Sequence, residues 1–493
     1  MYCWNWAWAT APTRRQEPAI AATRVEFNVM TDEYRWNQQG IPALLLLGLL
    51  AALALLAPLP FGSVLPWSHT VLEITAGILL TLALLDATRS AGLRPALLPA
   101  ACLAGVALLG ALQASAWPPA IVRTLSPEHS RLQAAARSEL RQAGAPGKVP
   151  DTLTLAPAAS RSAALTFAAV VACLLAGAAV YERTQRRVLA LAILASGIFQ
   201  VFLGARALAK RESTIWGEAV GGDAMRLRGT FINPDHLALY LELVLTVAFA
   251  WGWWALRRAR DETSVERQIA LVAAPAAAWL TIFVGLAFTG SRAGLVAAVT
   301  GTVAQGVFLA VGRRRVRLGA SGILLVLVGT GTVAAFGLQQ GLGRWLATSQ
   351  HELAWSDRLR VYASSWDLWQ RFPVTGTGLA SFRDAFSLVA PRDLPGLWYW
   401  HAHNDYLEIL VTTGLVGGLL VGVAVAALVV RLSRVLRDGE RSEDRCAALA
   451  ALGAIAAVAV HSAFDFGLSM PANAATLAIV CGTALVARKD LRV

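Results

Sequence analysis

The feature that most constrains this chain is a succession of apolar runs, each roughly 17–25 residues long and set off by polar breaks. They fall at 41–60, 68–87, 95–115, 160–181, 188–207, 236–256, 268–288, 293–311, 318–338, 406–430, 446–464 and 472–487. A run of that length crosses the hydrocarbon of a bilayer as one helix. Lipid offers the backbone no hydrogen-bond partner, so only helices or closed barrels span it, and the period-two alternation of barrel strands is missing here. The expectation is an all-α polytopic membrane protein of about twelve transmembrane helices. Composition agrees, because 56% hydrophobic and 15% charged residues make a chain of 493 residues too apolar for a soluble protein.

Basic residues set the orientation. With the N-terminus inside, the cytoplasmic segments are 1–40, 86–94, 182–187, 257–267, 312–317, 431–445 and 488–493, which hold more than half of the 43 Lys and Arg. The net charge of +12 is then largely topological, and nucleic acid is not an expected partner. The layout reads as a cytoplasmic segment over 1–40 and a single transmembrane domain over 41–493. Its longer outside segments are 117–160, 208–235 and 339–405, the last between the ninth and tenth helices. Arg14, Arg15 and Arg24 precede the first run, but that run is of full membrane length with no clear small-residue cleavage site after it, so it is expected to stay as a span. Cys3, Cys102, Cys173, Cys446 and Cys481 show no CxxC spacing, which supports neither a disulfide framework nor a zinc site.

The outside segments carry the polar residues that packing alone does not explain. Residues 126–140 predict an amphipathic helix, as do 355–371, where Phe372-Pro373 provides the stop and Thr375-Gly-Thr-Gly378 a turn. Residues 226–236 hold Arg226, Arg228 and a helix start at Asn233-Pro234-Asp235, for which capping beside solvated arginines is a sufficient reading. Arg292 is the one charge in the tight turn 288–292 between two apolar helices; it either snorkels to headgroups or meets an anion.

The densest cluster is Trp398-Tyr-Trp-His-Ala-His-Asn-Asp-Tyr-Leu-Glu408, set directly against an apolar run. His-Ala-His alone is a weak metal signature, and a histidine at a helix start is commonly a cap. The chemical reading is an imidazole facing the outside as a general base, with Asn404, Asp405 or Glu408 orienting a partner. Arginines on the same face suit an anionic leaving group such as a lipid diphosphate.

Together these blocks resemble a known family. Arg228-Gly-Thr-Phe-Ile-Asn-Pro-Asp-His236, Thr289-Gly-Ser-Arg-Ala-Gly294, Pro373-Val-Thr-Gly-Thr-Gly-Leu-Ala-Ser-Phe382 and His401-Ala-His-Asn-Asp-Tyr-Leu-Glu408 occur in the order seen in the O-antigen ligase and polymerase superfamily. His403-Asn404 leading to Gly414-Leu-Val-Gly417 is similar to the family's His and amide before a glycine-rich helix. The resemblance covers about 225–420; the first two hundred residues match in hydropathy alone.

The resemblance implies a multi-pass enzyme of the bacterial inner membrane whose active site faces the periplasm. Such an enzyme moves a glycan from an undecaprenyl-diphosphate donor to an acceptor sugar hydroxyl, with inversion and without a metal or other cofactor. By position, His403 would activate the hydroxyl while Arg228 and Arg292 stabilise the departing diphosphate. Asn404, Glu408, Arg226, Arg358, Arg360, Arg383 and Trp400 are the remaining expected substrate contacts. The implied partners are the lipid-linked donor, an acceptor glycolipid or glycan, and membrane lipids. Ligase and polymerase differ in acceptor, a lipid A core sugar against a second lipid-linked repeat. The glycines after His403-Asn404 lean toward the ligase, and the extra segment 117–160 toward the polymerase. A small-anion secondary transporter is less favoured, since no internal repeat is visible and the polar clusters gather on one face.

Overall fold

The computed structural model describes residues 40–85, 92–145, 149–221, 225–311, 355–392 and 399–487. The expected N-terminal segment, the run at 318–338 and Trp398 lie outside the described residues. The apolar runs form α1 (Ile41–Leu56), α2 (Pro66–Leu85), α3 (Leu97–Gln113), α6 (Pro157–Ala178), α7 (Arg183–Lys210), α8 (Pro234–Ala259), α9 (Val265–Phe288), α10 (Arg292–Val311), α13 (Asp405–Asp438), α14 (Ser442–His461) and α15 (Pro471–Leu485). The loops add α4 (Pro119–Leu125), α5 (Pro127–Gln142), α11 (Trp355–Arg371), the single turn α12 (Phe382–Phe386), and a small antiparallel pair, β1 (Thr214–Ile215) with β2 (Glu218–Ala219).

Among the described residues nine helices are long and apolar enough to cross a membrane, and α1 and α15 are shorter apolar helices. These helices occupy eleven of the expected runs, and the two expected amphipathic helices form at α5 and α11. Proline at the first turn opens many of them, where its missing N–H costs no hydrogen bond.

The loops before α2, α6, α8, α10, α13 and α15 meet at one end of the bundle. Hydrogen bonds tie those loops together: Trp216 Nε1 donates to Leu59 O at 2.9 Å, Leu155 N to Thr377 O at 2.9 Å, and Asp405 N to Ser462 O at 2.8 Å. The opposite end is held by Arg186 of α7, which donates to Asp444 of α14 and to the Val486 carbonyl beyond α15, both at 2.5 Å. Helix α8 is the most enclosed of these nine long helices. It packs on α7, α9, α10 and α14, and most of its length is hidden from lipid. Gln305 of α10, fully buried, donates to Thr246 O and Leu449 O at 2.9 and 3.1 Å and so joins α10, α8 and α14.

One break in this regularity positions the site. Helix α13 unwinds at Gly414 (φ 63°, ψ −165°), which releases backbone groups that lipid cannot satisfy. The segment after α11 supplies partners. Thr377 N donates to Val411 O at 2.9 Å, Gly378 N to Thr412 O at 3.0 Å, and Leu415 N to Pro373 O at 2.9 Å. Buried Gln113, at the end of α3, completes the seam by donating to Thr375 O at 2.6 Å and accepting from Leu379 N at 2.8 Å. Thr375-Gly-Thr-Gly378 does turn, as expected, with Gly376 N donating to Phe372 O at 3.0 Å and Gly376 and Gly378 at positive φ, and the turn is laid into a helix break.

Gly376 has φ 72°, and a Cβ there would collide with the Thr412 backbone. Gly376→Ala is expected to lower stability by about 2–4 kcal/mol. Gly306, in α10 with nothing within 4 Å of a built Cβ, is the control and should tolerate alanine without loss. Thermal unfolding of purified protein in detergent measures both; equal melting temperatures for the two variants would refute the account of the seam.

Candidate functional site

The histidine loop lies where α13 begins. Asn404 caps that helix, its Oδ1 accepting from Leu407 N at 3.0 Å, while its Nδ2 donates to Ala463 O at 3.1 Å. Tyr362 of α11 donates to the carbonyl of His403 at 2.8 Å, and Arg358 donates to Phe464 O at 2.8 Å. The loop and segment 462–466 are therefore bound to the same amphipathic helix. His403 itself has φ 52°, a left-handed conformation that costs a non-glycine residue on the order of 1 kcal/mol and here aims the side chain at Asp465.

Asp465 is the hub of the cluster. The residue is buried; its Oδ1 lies 3.6 Å from His403 Nδ1, and its Oδ2 lies 3.7 Å from His461 Nε2 and 3.9 Å from His236 Nε2. Burial by itself would raise the Asp465 carboxyl, but the imidazoles of His403, His461 and His236 outweigh it and hold it well below the usual carboxylate range. Phe466 fills the space between the rings. Its ring stacks on His401 at 4.0 Å and meets His403 and His236 edge-on at 5.0 and 4.7 Å. Among the described residues no group of three His, Cys, Asp or Glu side chains has metal-binding geometry.

His401 has a separate carboxylate. Glu408 Oε1 lies 2.7 Å from His401 Nδ1, and Oε2 accepts from Ala402 N at 2.9 Å. Burial pulls the His401 imidazole down, yet the charge and hydrogen bond of Glu408 more than offset it, and its pKa is raised. The two histidines thus differ: Glu408 orients His401, and the carboxylate facing His403 is Asp465. Glu408, expected as an orienting group with His403 as the base, is placed against His401 instead, and Asn404 meets the helix cap and the Ala463 carbonyl.

The arginines are carried to this end by a backbone pairing. Leu227 N donates to Phe288 O at 2.9 Å, which seats 226–228 against the turn before α10. Buried Arg226 donates from Nε to Thr289 O at 2.6 Å and from Nη2 to Asp235 Oδ1 at 2.7 Å. Asp235 directly precedes His236, so one short stretch of chain links the arginine cluster to the Asp465 hub. Arg228 is also buried and donates to Gly221 O at 2.9 Å; burial and then the nearby Arg226 lower its pKa, although a guanidinium stays charged at neutral pH. Arg292 opens α10, three residues beyond Thr289, and its side chain is exposed. Of the other expected contacts, Arg360 lies 3.9 Å from Asp357 on its own helix, and Arg383 sits over the Trp400 ring at 3.8 Å.

Reading the sequence missed Asp465, Phe466, His461 and Glu242. Asp465 and Phe466 lie in the short break before α15, which carries no basic residue to attract notice. Glu242 did leave a signal, since a carboxylate within an apolar run is seldom there for packing.

Residues 276–422 match the O-antigen ligase family model. The match supports placing the chain in the O-antigen ligase-like superfamily. No curated protein matches the chain. The O-antigen ligase match begins within α9 and ends within α13, so it takes in Arg292, α11, the seam at Gly414 and both loop histidines. Arg226, Arg228, Glu242, His461 and Asp465 lie outside it; Arg226 meets the matched segment at Thr289 and Asp465 meets it at His403.

The His401–Glu408 pair makes a pH prediction. A raised folded-state value means that its stabilisation is fully present below about pH 6.5, the unbound imidazole value, and fades as pH rises through the raised one. Glu408→Gln should therefore lower the melting temperature most near pH 6, with the gap to wild type narrowing in alkaline buffer. A gap that widens with pH would contradict the assignment.

Proposed function

We propose that the protein is an inner-membrane glycosyltransferase of O-antigen ligase type, taking a glycan from an undecaprenyl-diphosphate donor at the periplasmic face and placing it on a sugar hydroxyl of lipid A core. In this reading His403 removes the hydroxyl proton as the oxygen attacks the anomeric carbon. The bond from that carbon to the diphosphate breaks, and the diphosphate departs as an anion stabilised by Arg228 and Arg292. Attack from the face opposite the leaving group inverts the configuration. Guanidinium groups fill the role that a divalent cation takes in other transferases.

One observation carries the reading: the geometry around Asp465. An imidazole whose Nδ1 faces a buried carboxylate is oriented to accept a proton at Nε2, and the same hub reaches the arginine cluster through His236 and Asp235. Arg226 supports Asp235 in this arrangement. Arg358, Asn404 and Glu408 hold the loop, and Arg360, Arg383 and Trp400 are proposed contacts to the glycan or its phosphates. Collection of these groups at one end of the bundle also weighs against a transporter, which would place its site near the middle of the membrane.

A second reading, polymerisation of lipid-linked repeats, is favoured by the ordered helices α4 and α5. Buried His129 of α5 packs edge-on against Phe372 at 4.6 Å, beside the seam, where a second lipid-linked chain could be received. A deletion strain separates the two. Lipid-linked chains that accumulate without reaching lipid A mark a ligase, whereas single repeats in place of long chains mark a polymerase.

His403→Ala is expected to reduce transfer from a defined undecaprenyl-diphosphate donor by at least about 10²-fold in folded protein, and Arg292→Ala to reduce it comparably. Near-normal turnover in either variant would remove that residue from the mechanism.

A further inference from the structure

Glu242 and His461 form a pair deep in the bundle that the proposed chemistry does not use. Glu242 is on α8, the most enclosed of the nine long helices, and His461 closes α14; both side chains are fully buried, with Glu242 Oε1 2.7 Å from His461 Nδ1. A buried ion pair contributes little to stability, and apolar residues of similar volume commonly do as well or better. Ionisable groups kept inside a membrane domain point instead to function. The second nitrogen of His461 faces Asp465 at 3.7 Å, and the other oxygen of Asp465 faces His403 at 3.6 Å. The four groups thus form a line, Glu242, His461, Asp465, His403, in which carboxylates and imidazoles alternate.

Such a line solves a specific problem. A bare carboxylate beside an imidazole favours its protonated form, which is useless as a base. A cation on the far side of the carboxylate weakens that pull while leaving the carboxylate in place to orient the ring. We propose that His461, carried as an imidazolium by Glu242, tempers the charge of Asp465 and so sets the pH at which His403 can accept a proton. Glu242 and His461 are positioning residues in this scheme, since they act through Asp465.

The inference rests on the base role of His403 for its purpose but not for its test. Other titratable groups around the hub are Asp235 and His236 on α8, His401 in the loop, Asp405 and Glu408 on α13, and Arg358 and Tyr362 on α11. None of them is substituted when the pair is replaced. The replacement Glu242→Gln with His461→Gln removes both charges together, so no orphan ion is left in the core, and the two amides can still hydrogen-bond.

Diethyl pyrocarbonate acylates neutral imidazole. The pH at which His403 of the full-length protein in detergent reaches half its maximal labelling rate, followed by peptide mass spectrometry, therefore reads its protonation without any glycan substrate. The paired variant is expected to move that pH upward by about half a unit or more. Asp465→Asn should move it downward. A midpoint that is unmoved or lowered in the paired variant overturns the proposal. If the paired variant does not yield folded protein, His461→Gln alone is read in the same way, with the same upward shift expected and an unmoved midpoint again fatal. The expected shift without any glycan transfer would count against the proposed function only; transfer with no shift would count against the tempering role only.

Discussion

Every backbone amide inside a lipid bilayer needs a partner from the protein, and that one requirement shapes this molecule from its outline to its site. It makes each apolar run a helix. It also makes a broken helix costly unless another segment enters the break. At Gly414 the helix that begins beneath the histidine loop does break, and residues 373–378, held by Gln113, supply the missing hydrogen bonds. The same insertion anchors the outside segment that carries α11, and α11 in turn holds His403 and Phe464 by their carbonyls. The loop's geometry is thus a consequence of satisfying backbone groups several residues away.

Electrostatics follow from the same enclosure. Asp465 is buried among imidazoles from α8, the histidine loop and α14, where each charge is felt more strongly than it would be in water. His401 and His403, two residues apart, each face their own carboxylate, Glu408 and Asp465. The pairing gives them different partners. Neighbouring residues of identical chemistry are separated here by which element each side chain meets.

Much of this was legible in the chain. The apolar runs mark eleven described helices because run length and hydrocarbon thickness are matched quantities, and α5 and α11 appear where amphipathic spacing places them. The blocks around Arg228, Arg292, residues 373–382 and His403 also announce themselves, because charge or glycine at a membrane boundary is conspicuous. Asp465 did not, since one carboxylate in a short polar turn is ordinary until its neighbours are known. Glu408 reads from the sequence as an orienting group beside the base His403, yet it meets His401; it stands seven positions from one and five from the other, and sequence distance does not say which ring it reaches.

By itself the sequence determined a helical membrane protein with its polar clusters between the apolar runs, because hydropathy and charge act locally and leave periodic marks. The tertiary structure alone decided that segment 373–378 fills the break at Gly414, that Glu408 belongs to His401, and that Glu242, His461, Asp465 and His403 stand in line. Those contacts join residues up to 219 positions apart on different helices. Packing sets them, through distances and directions that no local pattern encodes.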